Sequence, residues 1–327
     1  MKILSHRDFG EPCLHVGFLN GVACVLTVDG RLSVLQGDVW SERSLQGGDI
    51  LAVCPEPASS GAGLLTASED GRVLRVAPDG VITCLAQRPQ GWITALAAGP
   101  GGQFAYGSSR TAWWRRRSGD ERELSQVRPV EALAFSRDGG TLAIGLYDGL
   151  LLQSERNEDP LELPWKGVPT RIAFAPDDRF VLLACRDAVL HGWRRDTGRH
   201  FRMVGYSRPI TDWSWSDTGV WLATDASRGA VLWSFAEEDG PIGQSGLVLG
   251  DREENDVTAV ACHPGQEWVA VAYGDGLLVL ESLAGDVRRV IGRAGREAVS
   301  CLAWHPDGSG LIYGTVSGTC GLLGHPR

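Results

Sequence analysis

The sequence predicts an all-β chain assembled from about eight similar units, each a meander of short strands. Three observations carry this. A pattern recurs roughly every forty residues, hairpin turns of the Asp-Gly kind punctuate the copies, and 43 glycines spread evenly through 327 residues give about twice the usual share.

The recurring pattern is an apolar run ending in a small residue, a turn, and a second apolar run. Clear copies are Leu26-Thr27-Val28-Asp29-Gly30-Arg31-Leu32, Thr66-Ala67-Ser68-Glu69-Asp70-Gly71-Arg72 and Ile144-Gly145-Leu146-Tyr147-Asp148-Gly149-Leu150. With turns centred at positions 29, 70, 109, 148, 187, 228, 275 and 317, the spacing stays between 39 and 47 residues. Aspartate and glycine tolerate the positive φ that tight β-turns demand, so each copy reads as a hairpin.

A second hairpin signal lies upstream in most copies, as in Ala132-Leu133-Ala134-Phe135-Ser136-Arg137-Asp138-Gly139 and Leu302-Ala303-Trp304-His305-Pro306-Asp307-Gly308. Proline fixes φ there and glycine supplies the reversed twist. A fourth, weaker strand follows in most copies, such as Val81-Ile82-Thr83-Cys84-Leu85. Four antiparallel strands per forty residues is one blade of a β-propeller. The expected fold is a closed propeller of eight blades forming one domain over 1–327, or seven blades if Cys13 to Asp49 is not a true blade.

Composition fits this reading. With 43% apolar and 22% charged residues, the chain can bury a large core. A net charge of −9 argues against DNA as a partner and weighs against RNA, since phosphate backbones call for a basic face. Lys2 and Lys166 are the only lysines among many arginines, which suggests a GC-rich, bacterial source. The opening Met1-Lys2-Ile3-Leu4-Ser5-His6 turns polar too early for a secretion signal, and no apolar run approaches the roughly 20 residues that cross a bilayer. A cytoplasmic home without a membrane partner is expected. The eight cysteines lie singly in apolar runs, without framework spacing, and read as reduced, buried thiols.

The order of an apolar strand, a Ser/His-Pro-Asp-Gly-like turn, a small-residue strand, an Asp-Gly turn and a strand ending near tryptophan resembles the WD-repeat family along the whole chain. The best-matched unit is Arg171 to Gly198, with Val189-Leu190-His191-Gly192-Trp193-Arg194-Arg195-Asp196 similar to that family's third strand and turn. No Trp-Asp pair and no Gly-His dipeptide precede the units, so the family's Asp-His-Ser-Trp network is expected to be mostly missing. The resemblance implies that Lys2-Ile3-Leu4-Ser5-His6 completes the last blade, which runs out near Leu322-Leu323, and so closes the ring and hides strand edges.

In that family, the turn between second and third strands and the link into the next unit share one face, where partners dock. The resemblance places Asp29, Asp70, Arg110, Asp148, Arg186, Asp187, Arg228 and Asp275 there. The links add Arg88, Trp92, Arg128, Lys166, Arg208, Arg252, Arg293 and Arg296. From these, Arg88, Trp92, Arg110, Arg128, Lys166, Arg186, Arg208 and Arg228 are the candidate partner-binding residues, because arginine forks and tryptophan area make interface hot spots. The bland alternative is solvated loop charge and structural turn aspartates.

Two other features point elsewhere. Trp113-Trp114-Arg115-Arg116-Arg117 could stack and hold single-stranded nucleic acid, or could be core packing followed by a charged turn balanced by Asp120, Glu121 and Glu123. His263 and His305 sit at equivalent places in neighbouring units, where two histidines could meet a metal or simply form His-Pro turns. No nucleophile elbow, P-loop or metalloprotease helix is present, and no cofactor site is assigned. The expected function is a non-catalytic scaffold for other proteins, acting as a monomeric propeller or as a subunit of a larger complex. The alternatives are an enzyme with a dispersed face site, or RNA binding through the arginine-bearing face.

Overall fold

The computed structural model describes residues 1–45, 47–57, 62–88, 91–157, 159–252 and 255–324. Its strands form eight four-stranded antiparallel sheets. Blades 1 to 7 span 13–44, 50–87, 95–125, 132–164, 169–203, 213–249 and 257–293, and blade 8 joins 299–324 to the N-terminal strand Lys2–Asp8. Lys2–Asp8 pairs antiparallel with Thr319–Gly324, from Lys2 opposite Gly324 to Asp8 opposite Thr319. The fold is therefore an eight-bladed β-propeller whose first strand completes the last blade. Residues 13–44 do form a blade, which decides for eight rather than seven.

By internal contacts the chain divides into two units, residues 1–44 with 203–327, and residues 45–202. The first holds blades 1, 6, 7 and 8, and the second holds blades 2 to 5. Within each, sheets stack face to face, and burial falls from the inner strands to the outermost.

Second strands are buried along all or nearly all of their length, as in Leu64–Ser68, Phe180–Cys185 and, after its first residue, Trp268–Tyr273, because neighbouring blades cover both of their faces. They accordingly read as continuous apolar runs rather than alternating ones. Outermost strands such as Ile82–Gln87 and Leu161–Pro164 are largely exposed, which is why their sequence signal is weak. Of the two adjacent tryptophans, Trp114 is fully buried between blades 3 and 4 and donates its indole N–H to Gln103 Oε1 at 3.1 Å. Trp113 instead stacks on Tyr106 at 5.2 Å. The following arginines fold back on Glu121, Asp120 and the carbonyls of Pro100 and Asp138.

The longest repeat, 47 residues between turns, owes its length to the segment 235–246, which separates the third and fourth strands of blade 6 with a series of turns.

Candidate interaction surface

In an antiparallel four-stranded meander, the turn between strands two and three and the link leaving strand four emerge at the same end. In the unit of blades 2 to 5 this end is pinned by backbone hydrogen bonds. Arg88 N–H donates to Gly71 O at 2.7 Å, Gln126 to Arg110 O at 2.7 Å, Val130 to Ser109 O at 2.8 Å and Glu131 to Gly145 O at 2.9 Å. The run continues with Trp165 to Asp148 O at 3.0 Å, Gly167 to Tyr147 O at 3.0 Å and Arg186 to Val168 O at 3.1 Å. Each link is thus tied to the turn before it or after it, and from Ser109 to Arg186 the loops form one connected, short-span surface. Gly71 shows how tight the packing is: its φ is +74°, and a Cβ there would lie 2.0 Å from Arg88 O, so no other residue fits without moving the link.

This surface carries large apolar side chains in solvent. Trp92 is 62% exposed, Val127 81% and Tyr147 47%. The same surface carries Arg110, Lys166 and Arg186, all exposed and without a side-chain partner among the described residues. Arg128 meets Asp148 at 3.0 Å with both groups half-exposed, a pair worth at most about 1 kcal/mol. Arg88 is differently placed. It bonds Glu121 at 2.5 Å and lies over the rings of Trp113, at 4.7 Å, and Tyr106, at 5.5 Å, and so helps hold the link against blade 3.

In the unit of blades 1, 6, 7 and 8 four of the five candidate arginines at the corresponding end meet carboxylates. Arg208 reaches the buried Asp225 at 3.3 Å, Asp256 at 3.7 Å and the carbonyl of Val257. Arg228 meets Asp251 at 3.2 Å. Arg252 grips Asp275 with two bonds of 3.0 Å and stacks on Tyr273, and Arg293 adds a third contact to Asp275 at 3.5 Å. Arg296 is exposed. The turn aspartates Asp29 and Asp70 accept hydrogen bonds from Thr27 and Arg31, and from Ser68 and Arg72, which keeps their carboxyls below the usual range.

Asp225 is fully buried and takes bonds from Thr211 N at 3.0 Å and Thr211 Oγ1 at 2.6 Å. Burial outweighs these bonds and pushes its carboxyl up to about 6.

Two polar networks stand where the resemblance led us to expect little. In blade 6, Trp233 Nε1–H donates to Tyr206 Oη at 2.7 Å, which bonds Thr224 Oγ1 at 3.0 Å, and Thr224 donates on to Val231 O at 3.1 Å. Here a tyrosine of the link into blade 6 does the joining. In blade 5, His191 Nε2 faces Asp187 at 3.3 Å and its Nδ1 faces His200 Nε2 at 3.3 Å. A carboxylate accepts only from N–H, so His191 carries its proton on Nε2 and accepts from His200. Trp165 stacks over His191 at 3.9 Å and His200 at 4.9 Å. Burial holds both imidazoles below their ordinary value, against the pull of Asp187 on His191. This chain anchors the Asp187 turn beneath the surface.

At the opposite end, His263 and His305 do not converge on one point. His263 bonds Gly308 O at 3.2 Å and packs on Trp304, whereas His305 pairs with Asp307 at 2.5 Å and packs on Phe18. Each therefore ties its own blade to the next. Among the described residues, no group of three or more His, Cys, Asp or Glu side chains is placed to hold a metal ion, and no helix is long and apolar enough to cross a membrane.

A family model described as WD domain, G-beta repeat matches residues 287–322. That stretch starts one residue before the fourth strand of blade 7, Arg288–Arg293, and ends in Thr319–Gly324 of blade 8, so the sequence repeat is out of phase with the blade by one strand. The same offset leaves a place in blade 8 for Lys2–Asp8. Among solved structures, the chain is similar in fold to the computationally designed Ika8 protein, with a TM-score of 0.79 and 18% identity over 99% of this chain and 100% of that one. No curated protein matches the sequence. The match over 287–322 shows one WD-type repeat, and the eight four-stranded blades show the β-propeller fold in which it sits.

Proposed function

We propose that this chain is a non-catalytic scaffold that docks partner proteins on the end of its blades where the links and the turns between second and third strands emerge. WD-repeat propellers are in general protein-interaction platforms without chemistry of their own. The observation that carries the reading for this chain is the loop surface from Trp92 to Arg186. Its backbone is hydrogen-bonded link to turn, and it still leaves Trp92, Val127 and Tyr147 in solvent. Pre-ordered loops lose little conformational entropy on binding, and exposed aromatic and branched side chains supply the area that an interface core buries.

The test is affinity purification from the native cell with the wild-type chain and with Trp92→Ala/Val127→Asp. Both changes fall on exposed side chains, so equal unfolding transitions for the two forms are expected and serve as the control. A stoichiometric protein kept by the wild type and lost by the variant supports the reading. An identical set retained by both forms refutes it.

A further inference from the structure

We infer that the docking surface is concentrated on blades 3 to 5 with the link that enters them, and that its partner is a protein segment carrying both carboxylates and aromatic or aliphatic side chains. This rests on the scaffold reading and adds where on the surface the partner sits and what chemistry it has.

The location follows from how charge is used. In the unit of blades 1, 6, 7 and 8, Arg208, Arg228, Arg252 and Arg293 each meet a carboxylate of their own unit. A partner that bound them would first have to replace those bonds. In the other unit, Arg110, Lys166 and Arg186 are exposed with no such partner among the described residues. The nearby carboxylates are already engaged or withdrawn: Asp148 faces Arg128, Asp187 accepts from His191, and Glu131 is half-buried. Among the described residues this end thus carries three uncompensated cations, against Arg296 alone among the candidate arginines of the other unit, on a chain whose net charge is −9.

The order along the surface gives the chemistry. The backbone ladder from Ser109 to Arg186 fixes the sequence of Arg110, Val127, Tyr147, Lys166 and Arg186, and Trp92 lies in the link just before it. Cationic and apolar side chains are therefore interspersed along this surface, and the complementary ligand carries both carboxylates and apolar anchors. A nucleic acid fits less well. Val127, the most exposed apolar side chain of the set, can neither stack on a base nor bond a phosphate, and three free cations are few against the phosphate contacts of a backbone binder. Beyond about 8 Å at physiological salt the chain's negative charge is screened, so a short acidic segment is tolerated where a long polyanion is repelled.

The test uses the full chain as bait for a displayed library of random short peptides, followed by binding of one enriched synthetic peptide to three forms. These are the wild type, Arg110→Glu/Lys166→Glu/Arg186→Glu, and Arg228→Glu/Arg293→Glu/Arg296→Glu, which changes net charge equally in the other unit. The inference expects enrichment of acidic peptides bearing Phe, Trp or Leu, affinity that weakens as salt rises, and a loss of roughly tenfold or more in the first variant only. Enrichment of basic or uncharged peptides, or of none, overturns the assigned chemistry. Equal loss in both variants overturns the assigned location. A uridine oligonucleotide that competes for the same residues replaces the protein segment with a nucleic acid. The scaffold reading is judged separately, by the purification with Trp92→Ala/Val127→Asp.

Discussion

Replacing Tyr206 by Phe tests how the link into blade 6 is held. The phenol accepts from Trp233 Nε1 at 2.7 Å and bonds Thr224 Oγ1 at 3.0 Å, and burial pushes its ionisation up so that it stays a neutral donor and acceptor. Trp233 is 3% exposed, so water cannot replace the lost acceptor. Leaving one buried N–H unsatisfied costs about 1–3 kcal/mol. Thr224 keeps Val231 O as its acceptor and adds little to the loss. Tyr206→Phe is therefore expected to lower unfolding stability by about 1–3 kcal/mol, read by urea denaturation with far-ultraviolet circular dichroism at unchanged m-value. Trp233→Phe removes the donor as well, so the double variant should be more stable than the sum of the single losses predicts, by about 1–2 kcal/mol. A single loss below about 0.5 kcal/mol, or additivity within about 0.5 kcal/mol, refutes the argument that this network holds the link.

Further outcomes follow from buried ionisable groups. Asp225 binds its proton more tightly in the folded chain, at about 6 against an ordinary 3.8, so stability from this group is full below about pH 4 and is lost as pH rises to about 6. The loss is on the order of 3 kcal/mol and should vanish in Asp225→Asn, seen as the difference between the two stability curves over that window. His191 and His200 have the opposite sign. Their folded values lie below the ordinary one, so their contribution is full above about pH 6.5 and falls as pH drops, and His191→Gln/His200→Gln should flatten that fall. Thiol labelling should modify Cys84 first, because it is exposed, while burial pushes Cys13 to about 11 and Cys24, Cys185, Cys262 and Cys301 to about 12. Rapid labelling of Cys24 or Cys185 in the native chain contradicts that burial.

Much of the fold was legible because it lies in local chemistry. The Asp-Gly turns at Asp29, Asp70 and Asp148 and the apolar second strands announce themselves residue by residue. The pairing of Lys2–Asp8 with Thr319–Gly324 joins residues more than 300 positions apart, and it was still inferable because the last unit stops after three strands and the first strand has no partner beside it in sequence. The polar networks were harder to read. Tyr206, Thr224 and Trp233 lie 9 to 27 residues apart, and nothing in their spacing says that one hydroxyl will join them. Likewise, His191 and His200 sit on separate strands and meet only through the pairing within blade 5. For the surface, sequence placed the candidate arginines on these loops but could not separate those that serve the blades, such as Arg88 and Arg208, from those left in solvent, such as Arg110 and Arg186. That distinction depends on which carboxylate lies across the gap. Val127 and Tyr147, absent from the sequence-based set, stand out only once their exposure is known.

The docking surface is tested most directly by a photo-crosslinking amino acid placed at Val127 or, in a parallel form, at Val81, which is also exposed in the same unit but lies at the opposite end of its blade. Irradiation in the native cell should link a defined protein to position 127 and not to position 81. Equal labelling at both positions, or a partner captured only at 81, would place the interaction on another face and contradict the proposed function.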